Sequence, residues 1–245
     1  MSRTAGLKHR LYLSGPLETG QRIALPADRA HYLTRVLRQR RGSELLCFDG
    51  GGSAWRAAVE DDRPRSAAVR LLDVEERQPV PEPRLHLVFG LLKGNAVDQV
   101  IQKATELGVT DLWPIQASRS NVPVDGERQQ RRLAHWQRVI ESACEQCGQL
   151  HLPALHDPRE LPQFLLAPPA ATLILLHPGA PALPVSLPAQ PLGLLVGPEG
   201  GWTQEEVALA ENAGVAIRGL GALVLRAETA PLAALAAVRH GWGWR

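Results

Sequence analysis

The segment Leu194–Glu206 constrains the fold more than any other part of this chain. It begins with a short apolar run, Leu194–Val196, of the kind found in buried parallel strands. The turn Gly197–Gly201 follows, and its glycines allow a ligand to approach the backbone closely. Thr203 and Glu206 have the spacing of a capping box, which predicts that a helix begins there. A strand end, a bare turn and a helix start predict a ligand site at the edge of an open α/β sheet.

A second segment of the same type follows after a short interval. Gly219–Ala230 again runs from a strand end with glycines, through a loop, to a helix. Two such loops close together in sequence could form one pocket. Before them, the chain from residue 84 onward alternates between the two kinds of element. We predict strands at 84–92, 111–115, 172–177, 192–196 and 216–220, and helices at 96–107, 127–146, 204–213 and 229–239. This alternation predicts a parallel sheet covered on both faces.

The N-terminal part has a different pattern, with short segments of β-type composition around one helix. We predict strands at 10–14, 21–25, 43–48, 54–59 and 67–74, a hairpin turn at 49–52 and a helix at 26–39. The apolar face of that helix is predicted to contain Ala30, Leu33, Val36 and Leu37. These elements indicate a small barrel. The proline-rich segment Gln78–Pro83 is typical of a stiff linker, so we predict domains at 1–77 and 78–245.

Charge and cysteine content bound the class of protein. The net charge is only +2, but residues 27–41 contain five arginines, at positions 29, 35, 38, 40 and 41, against one acid, Asp28. This cluster is either a solvated helix face or a surface that contacts phosphates.

Three cysteines cannot form a fully paired disulfide framework, and no secretory signal or membrane-length apolar run is visible. We therefore expect a cytoplasmic protein without a membrane span. The histidines lack metal-ligand spacing, so no metal is expected.

The two loops carry the motifs Gly197-Pro198-Glu199-Gly200-Gly201 and Leu225-Arg226-Ala227-Glu228-Thr229-Ala230. Together they resemble the signature of the SPOUT (trefoil-knot) RNA methyltransferases. The chain is most similar to the RsmE family, which methylates N3 of a uridine in 16S (small-subunit) ribosomal RNA. Other segments resemble the same family, namely His31–Arg38, Asp98–Val109, Arg119–Ser120 and Glu141–Gln146. The resemblance implies a PUA-like RNA-binding β-barrel followed by a SPOUT-type parallel α/β knot domain.

The resemblance also implies a cofactor, a substrate and site residues. S-adenosyl-L-methionine would lie between three loops, in contact with Leu176, His177, Gly197, Pro198, Glu199, Gly200, Gly201, Leu220, Gly221, Leu225, Ala227, Thr229 and Ala230. As functional candidates in the active site, Arg226 could steady the uridine or its phosphate, and Glu199 or Glu228 could receive the N3 proton. Ribosomal RNA, either free or in the small ribosomal subunit, would contact Arg35, Arg38, Arg40, Lys93 and Arg119. For several of these residues a structural role is an alternative: turn geometry for the glycines, helix-end stabilisation for Glu199 and loop pairing for Arg226 with Glu228.

A homodimer is also implied. The last predicted helix is apolar on nearly all sides, so one face would need to be covered by a partner chain or, alternatively, by other helices of the same chain. Ala234 is expected to point outward. The family commonly has Gly-Pro-Arg where this chain has Gly221-Ala222-Leu223, which puts details of substrate binding in question.

Other functions remain open: a non-catalytic RNA-binding or ribosome-assembly protein, or a SPOUT methyltransferase with another RNA target. A dinucleotide-dependent oxidoreductase is a weak alternative, because Gly-x-Gly-x-x-Gly is absent at the strand ends.

Overall fold

The computed structural model describes residues 9–120 and 126–244. The chain forms two compact units. The first contains the residues up to Val80 together with Cys144–Leu152, and the second contains Pro81–Ala143 and the chain from Pro153 onward. The predicted division after residue 77 lies near Val80. The segment Cys144–Leu152, which the sequence prediction assigned to the C-terminal domain, clusters with the first unit.

The first unit is built on a five-stranded sheet. Its strands are β1 (Arg10–Tyr12), β2 (Arg22–Ala24), β3 (Glu44–Phe48), β4 (Ser53–Asp61) and β5 (Ala68–Arg77). They lie in the order β1-β3-β4-β5-β2, in which β1 and β3 are parallel and the other pairs antiparallel. The predicted hairpin turn is confirmed between β3 and β4, where Asp49 Oδ1 accepts hydrogen bonds from the N–H groups of Gly51 and Ser53, at 2.7 and 3.2 Å.

The helical segment of the first unit departs from the prediction in its second half. Helix α1 (Ala27–His31) continues into a π-helical turn at Tyr32–Val36. A π-turn contains more residues than an α-turn, so the apolar stripe shifts around the axis. Val36, predicted to face the core, is consequently 56% exposed, while Thr34 is buried and donates its hydroxyl to the carbonyl of Ala30 at 2.8 Å.

The second unit is a parallel sheet with helices. It contains β6 (Leu85–Gly90), α2 (Ala96–Glu106), β7 (Asp111–Gln116), α3 (Gly126–Cys147, whose last residues belong to the first unit), β8 (Ala154–Leu155), β9 (Arg159–Glu160), α4 (Leu161–Leu166), β10 (Thr172–Leu176), β11 (Leu192–Val196), α5 (Gln204–Asn212), β12 (Ala216–Arg218) and α6 (Ala230–Gly241). The strand order is β12-β10-β11-β6-β7-β8, with β9 also beside β7, and every pairing is parallel. The predicted parallel sheet is therefore confirmed.

The core of the second unit explains why its central strands read as continuous apolar runs. Every residue of β6 and β11 is buried, as a sheet covered on both faces requires. In register, Leu195 pairs with Val88, and both belong to a cluster that also contains Trp113, Phe164 and Trp202. Three short elements, β8, β9 and α4, were not predicted. They have only two to six residues each, too few to show a clear period.

Helix α6 buries a face that the sequence analysis assigned to a partner. Ala234 is 0% exposed within the single chain, so the expectation that it points outward is wrong. Ala237, about one turn further along this helix, is exposed. Helix α2 also buries one face, which includes Val97, Val100 and Ile101. Among the described residues, no helix is long and apolar enough to span a membrane.

A buried charge cluster lies at the amino-terminal ends of β6 and β7. The Asp111 carboxylate accepts hydrogen bonds from Arg84 Nη2 and Thr110 Oγ1, both at 2.7 Å. His156 Nε2 lies 3.1 Å from Asp111 Oδ1, and His86 Nδ1 lies 3.2 Å from Oδ2. Burial alone would raise the pKa of the Asp111 carboxyl, but the contacts with His156, His86, Thr110 and Arg84 outweigh it and hold the pKa well below its usual range.

Candidate cofactor cavity and active site

The carboxyl-terminal ends of β10, β11 and β12 open into a cavity of about 650 Å³. This volume lies within the range of roughly 300–1,000 Å³ that is typical of small-ligand sites. The loops that follow the three strands supply its walls, as expected for an open α/β sheet. The lining residues are Arg119, Leu176, His177, Pro178, Val196, Gly197, Pro198, Glu199, Gly200, Gly201, Trp202, Leu220, Gly221, Leu223, Val224, Leu225, Arg226, Ala227, Glu228 and Ala230.

Two glycines of the turn after β11 have little or no room for a side chain. A Cβ at Gly197 would lie 3.1 Å from the backbone nitrogen of Trp202, and one at Gly200 would lie 2.9 Å from Cβ of Arg119. Gly201 adopts φ +67°, a conformation that L residues rarely take. The turn therefore needs its glycines for its own packing. Because these residues have no side chains, the backbone of the turn is accessible from the cavity.

The capping box that the sequence predicted fixes where this turn ends. Thr203 Oγ1 accepts the N–H of Glu206 at 3.2 Å, and Glu206 Oε2 accepts the N–H of Thr203 at 2.8 Å. The buried Glu206 carboxylate also accepts the N–H of Ser118 through Oε1, at 2.8 Å. Glu206 thus ties the start of α5 to the loop after β7, and it holds two walls of the cavity region together.

The second loop closes the other side of the cavity. Gly219 packs tightly, since a Cβ there would lie 2.6 Å from the carbonyl oxygen of Ala180, and Gly221 adopts φ +112°. Leu223 and Val224 are both exposed. The loop therefore presents apolar side chains at the cavity.

The charged groups at the cavity are weakly paired. The Arg226 side chain is 86% exposed, and its Nη1 lies 3.9 Å from Oε1 of Glu228, too far for a hydrogen bond. Glu199 Oε1 accepts the backbone N–H of Lys93 at 2.9 Å. Arg119 Nη1 donates to the carbonyl of Gly200 at 2.7 Å. The exposed Arg226 side chain and the Glu228 carboxylate are therefore within reach of a ligand in the cavity.

The cavity brings together most of the residues that the sequence singled out. Every residue predicted to contact the cofactor lines it except Thr229, and so do the three predicted catalytic residues, Arg226, Glu199 and Glu228. Among the predicted RNA contacts, Arg119 lines the cavity. Lys93 does not, although its N–H bonds to Glu199 there. The roles of these residues toward cofactor and RNA remain predictions.

The remaining predicted RNA contacts belong to the first unit. Arg35, Arg38 and Arg40 are exposed, and Arg38 has φ +54°. Arg40 Nη1 lies 3.7 Å from Asp62 Oδ2, a loose ion pair at the surface. Arg29 differs from the others. Its guanidinium is largely buried and bonds Glu145 Oε1 at 3.0 Å, so Arg29 has a structural role within the cluster.

Sequence reasoning missed five residues that line the cavity: Val196, Pro178, Trp202, Leu223 and Val224. Val196 and Pro178 are sequence neighbours of the predicted contacts Gly197 and His177, so the predicted segments were each one residue too short. Trp202 had a usable signal, because it follows the glycine turn directly and large aromatic side chains often line small-ligand sites. Within residues 9–120 and 126–244, no group of three or more histidine, cysteine, aspartate or glutamate side chains could hold a metal ion.

Comparison with known proteins agrees with this architecture. Residues 79–239 match the RNA methyltransferase domain family, and residues 25–72 match the RNA methyltransferase PUA domain family. The ribosomal RNA small subunit methyltransferase E of Synechocystis is 36% identical over 88% of this chain and 72% of its own length. The protein of the same name from Mycobacterium bovis is 32% identical over 90% of this chain and 87% of its own length.

A solved structure extends the similarity to three dimensions. The ribosomal RNA small subunit methyltransferase E of Neisseria gonorrhoeae, in a crystal structure bound to S-adenosyl methionine, is 34% identical, with a TM-score of 0.88. The alignment covers 96% of this chain and 98% of that one. The two units thus define an RNA methyltransferase of the SPOUT fold class with a PUA-like domain, as predicted. The chain belongs to the ribosomal RNA small subunit methyltransferase E family.

Proposed function

We propose that this protein transfers a methyl group from S-adenosyl-L-methionine to N3 of a uridine in 16S ribosomal RNA, within the small ribosomal subunit and in the cytoplasm. The single observation that carries the proposal is the convergence of both signature loops on one cavity. A relative with 34% identity and the same fold binds S-adenosyl methionine, and the names of the curated relatives specify the small-subunit RNA.

The cavity has the chemical character that the cofactor requires. Leu176, Leu220 and Leu225 offer apolar surface for an adenine ring, and the bare turn Gly197–Gly201 offers backbone donors and acceptors. When bound, the cofactor supplies an electrophilic methyl group on a sulfonium. The protein's contribution is to hold that methyl group in line with the acceptor nitrogen. This orientation lowers the entropic part of the activation barrier.

The acceptor must lose a proton, because N3 of uridine is a weakly acidic imide that is mostly protonated at neutral pH. A bond forms between N3 and the methyl carbon, the bond from that carbon to sulfur breaks, and the N3 proton passes to a base. Glu199 and Glu228 both line the cavity, and either carboxylate can be that base. Arg226 would stabilise the negative charge that develops on the uridine oxygens.

Calorimetry tests the cofactor arm. The wild-type protein should bind S-adenosyl-L-methionine and not NAD, and the Gly200→Leu variant should lose binding because the new side chain must displace Arg119 and enter the cavity. Gly51→Leu is the control, since Gly51 lies in the first unit and a Cβ there would meet only ordinary van der Waals contacts, the nearest at 3.5 Å. A folded Gly200→Leu variant that binds the cofactor normally would remove this turn from the site.

The methyl transfer itself is tested in cells. Methylated uridine should be missing from small-subunit RNA of cells that lack the protein.

The RNA arm rests on the exposed arginines of the first unit. Replacing Arg35 and Arg38 with alanine should weaken RNA binding and lower the slope of log affinity against log salt by about 1.5. The cofactor affinity should not change. Replacing Arg63 and Arg65, two exposed arginines elsewhere in the same unit, is the matched control. Equal effects in the two double variants would assign the cluster to a solvated face.

We further propose a homodimer, with each active site completed near the partner. The exposed position Ala237 on α6, a helix of small residues, supports a close helix contact. Ala237→Glu should give monomers with reduced activity in sedimentation and methylation assays, whereas Ala213→Glu at the exposed end of α5 should not. A wild-type protein that is monomeric at micromolar concentration and still methylates RNA would contradict the dimer.

A non-catalytic role in ribosome assembly is the second candidate. The observation that favours it is the replacement of the family's usual Pro-Arg by Ala222-Leu223, with Leu223 exposed at the cavity. The calorimetry above separates the two candidates, because an assembly protein without a cofactor site would bind RNA and leave S-adenosyl-L-methionine unbound.

A further inference from the structure

The two carboxylates that line the cofactor cavity are held in different ways. Glu199 Oε1 accepts the backbone N–H of Lys93 at 2.9 Å, which connects the glycine turn after β11 to the loop after β6. Next to this contact, Gly90 packs so closely that a Cβ would lie 2.5 Å from the backbone nitrogen of Pro198. The Glu199 carboxylate is therefore part of the contact that fixes the two segments against each other.

Glu228 has an ordered backbone and an unengaged carboxylate. The carbonyl oxygen of Arg226 accepts the N–H groups of Thr229 and Ala230, both at 2.9 Å, and these two bonds fix the turn that contains Glu228. Across residues 9–120 and 126–244, no hydrogen bond engages the Glu228 carboxylate, and its ion pair with Arg226 is loose, at 3.9 Å. The side chain is 25% exposed, so it is partly shielded from water.

These differences suit the two carboxylates to different tasks. A general base needs a lone pair that can reach the proton of the substrate, on a group that the protein already holds in place. Glu228 meets both conditions. Protonation of Glu199 would instead weaken a charge-assisted hydrogen bond that orders the glycine turn, so proton transfer to this group would act against its structural contact.

We propose that Glu228 is the base that receives the N3 proton of the uridine, and that Glu199 is a positioning residue that orders the glycine turn for the cofactor. The proton on N3 moves to a Glu228 oxygen, and the electron pair that it leaves forms the bond from N3 to the methyl carbon. The pair of the broken carbon–sulfur bond stays on sulfur. This assignment rests on the proposed function and narrows its two candidate bases to one.

Substitution by glutamine separates the two roles. Glu228→Gln keeps the shape of the side chain but cannot take a proton, so kcat should fall by about 100-fold or more. Glu199→Gln keeps the Oε1 that accepts the Lys93 N–H, so its kcat should fall by less than about tenfold. Glu211→Gln is the matched control and should have wild-type kinetics, because Glu211 is exposed on α5 and is not a lining residue of the cavity.

Calorimetry tests the positioning role without turnover. Glu199→Ala removes the acceptor of the Lys93 N–H and should lower the affinity for S-adenosyl-L-methionine by about tenfold, because the glycine turn is then less ordered. Glu199→Gln should restore most of this affinity, and Glu228→Gln should bind the cofactor nearly as well as the wild-type protein. Wild-type affinity in Glu199→Ala would contradict the positioning role.

Chemical rescue tests the proton transfer itself. Glu228→Ala leaves space for a small carboxylate, so added formate should raise its methylation rate, whereas the rate of Glu199→Ala should not respond. If Glu228 instead only pairs with Arg226 and stabilises the start of α6, Glu228→Ala would lose unfolding free energy and formate would not raise its rate. That result would overturn the assignment of the base.

The variants also separate this inference from the proposed function. Glu228 lies in a loop and is partly exposed, so both of its variants should fold, which urea unfolding checks. If the wild-type protein methylates RNA and Glu199→Gln loses as much activity as Glu228→Gln, or Glu228→Gln loses less than about tenfold, the assignment is wrong and the function stands. If the folded wild-type protein binds no S-adenosyl-L-methionine and methylates no RNA, both are wrong.

Discussion

The two ends of the parallel sheet differ in how their charged side chains are buried and paired. At the amino-terminal end, the Asp111 carboxylate is buried and has four polar neighbours within 3.2 Å, including Arg84 and His156. At the carboxyl-terminal end, Arg226 is almost fully exposed and lies 3.9 Å from Glu228. A satisfied buried charge holds strands in register, whereas an exposed and weakly paired charge can be given to a ligand. The comparison predicts that substitutions at one end change stability and those at the other change activity.

The largest effect is expected from Arg226→Ala. Loss of one donor that stabilises charge in a transition state lowers kcat/KM by about 100- to 1,000-fold. The free energy of unfolding should change by less than about 0.5 kcal/mol, because the side chain is exposed. Methylation kinetics and urea unfolding measure the two quantities. Arg63→Ala, at an exposed site in the first unit, is the control, and unchanged kinetics of Arg226→Ala would exclude this residue from the active site.

Asp111→Asn should produce the opposite profile. Removing the charge leaves Arg84 and the histidines without their buried partner, which should lower the free energy of unfolding by about 3 kcal/mol. The folded variant should bind S-adenosyl-L-methionine with the wild-type affinity. Glu127→Gln breaks an exposed ion pair on α3 and should cost at most about 0.5 kcal/mol. A loss of cofactor affinity at constant stability would mean that the two ends of the sheet are not independent.

The same carboxylate should shape the acid side of the stability profile. Because the pKa of Asp111 is lowered on folding from its ordinary value of 3.8, its stabilisation is fully present above about pH 4 and is lost as the pH falls further. The wild-type protein should therefore lose stability below about pH 4 more steeply than Asp111→Asn, by up to about 1.4 kcal/mol per pH unit. Unfolding midpoints between about pH 2.5 and 6 measure this difference, and parallel profiles would contradict it.

The smallest effect is expected from Thr203→Ala at the carboxyl-terminal end. This change removes the hydroxyl that accepts the N–H of Glu206 and should cost about 1 kcal/mol of unfolding free energy. Cofactor affinity should fall by less than tenfold, since the glycines of the turn remain. Thr229→Ala is the control, because Thr229 precedes α6 without making a side-chain capping bond. Equal losses of stability in both variants would show that the capping box does not order the turn.

Much of the fold followed from local patterns. The continuous apolar runs predicted β6 and β11, and the spacing of Thr203 and Glu206 predicted the start of α5. The two glycine-bearing loops each predicted one wall of the cavity. Local patterns failed where the backbone left its regular period, as at Val36 after the π-turn, and where elements were very short, as in α4.

The sequence by itself determined which residues are chemically suited to the site, because glycine turns, capping boxes and charged loop residues are local features of the chain. Tertiary structure decided which of them meet. It buries Ala234 within its own chain and forms the ion pair between Arg29 and Glu145. It also brings the N–H of Lys93 to the carboxylate of Glu199, which is 106 residues away in the sequence. The sequence carries no local record of such pairings, because they depend on how the parallel strands are ordered in the sheet and on which loops that order brings to one edge.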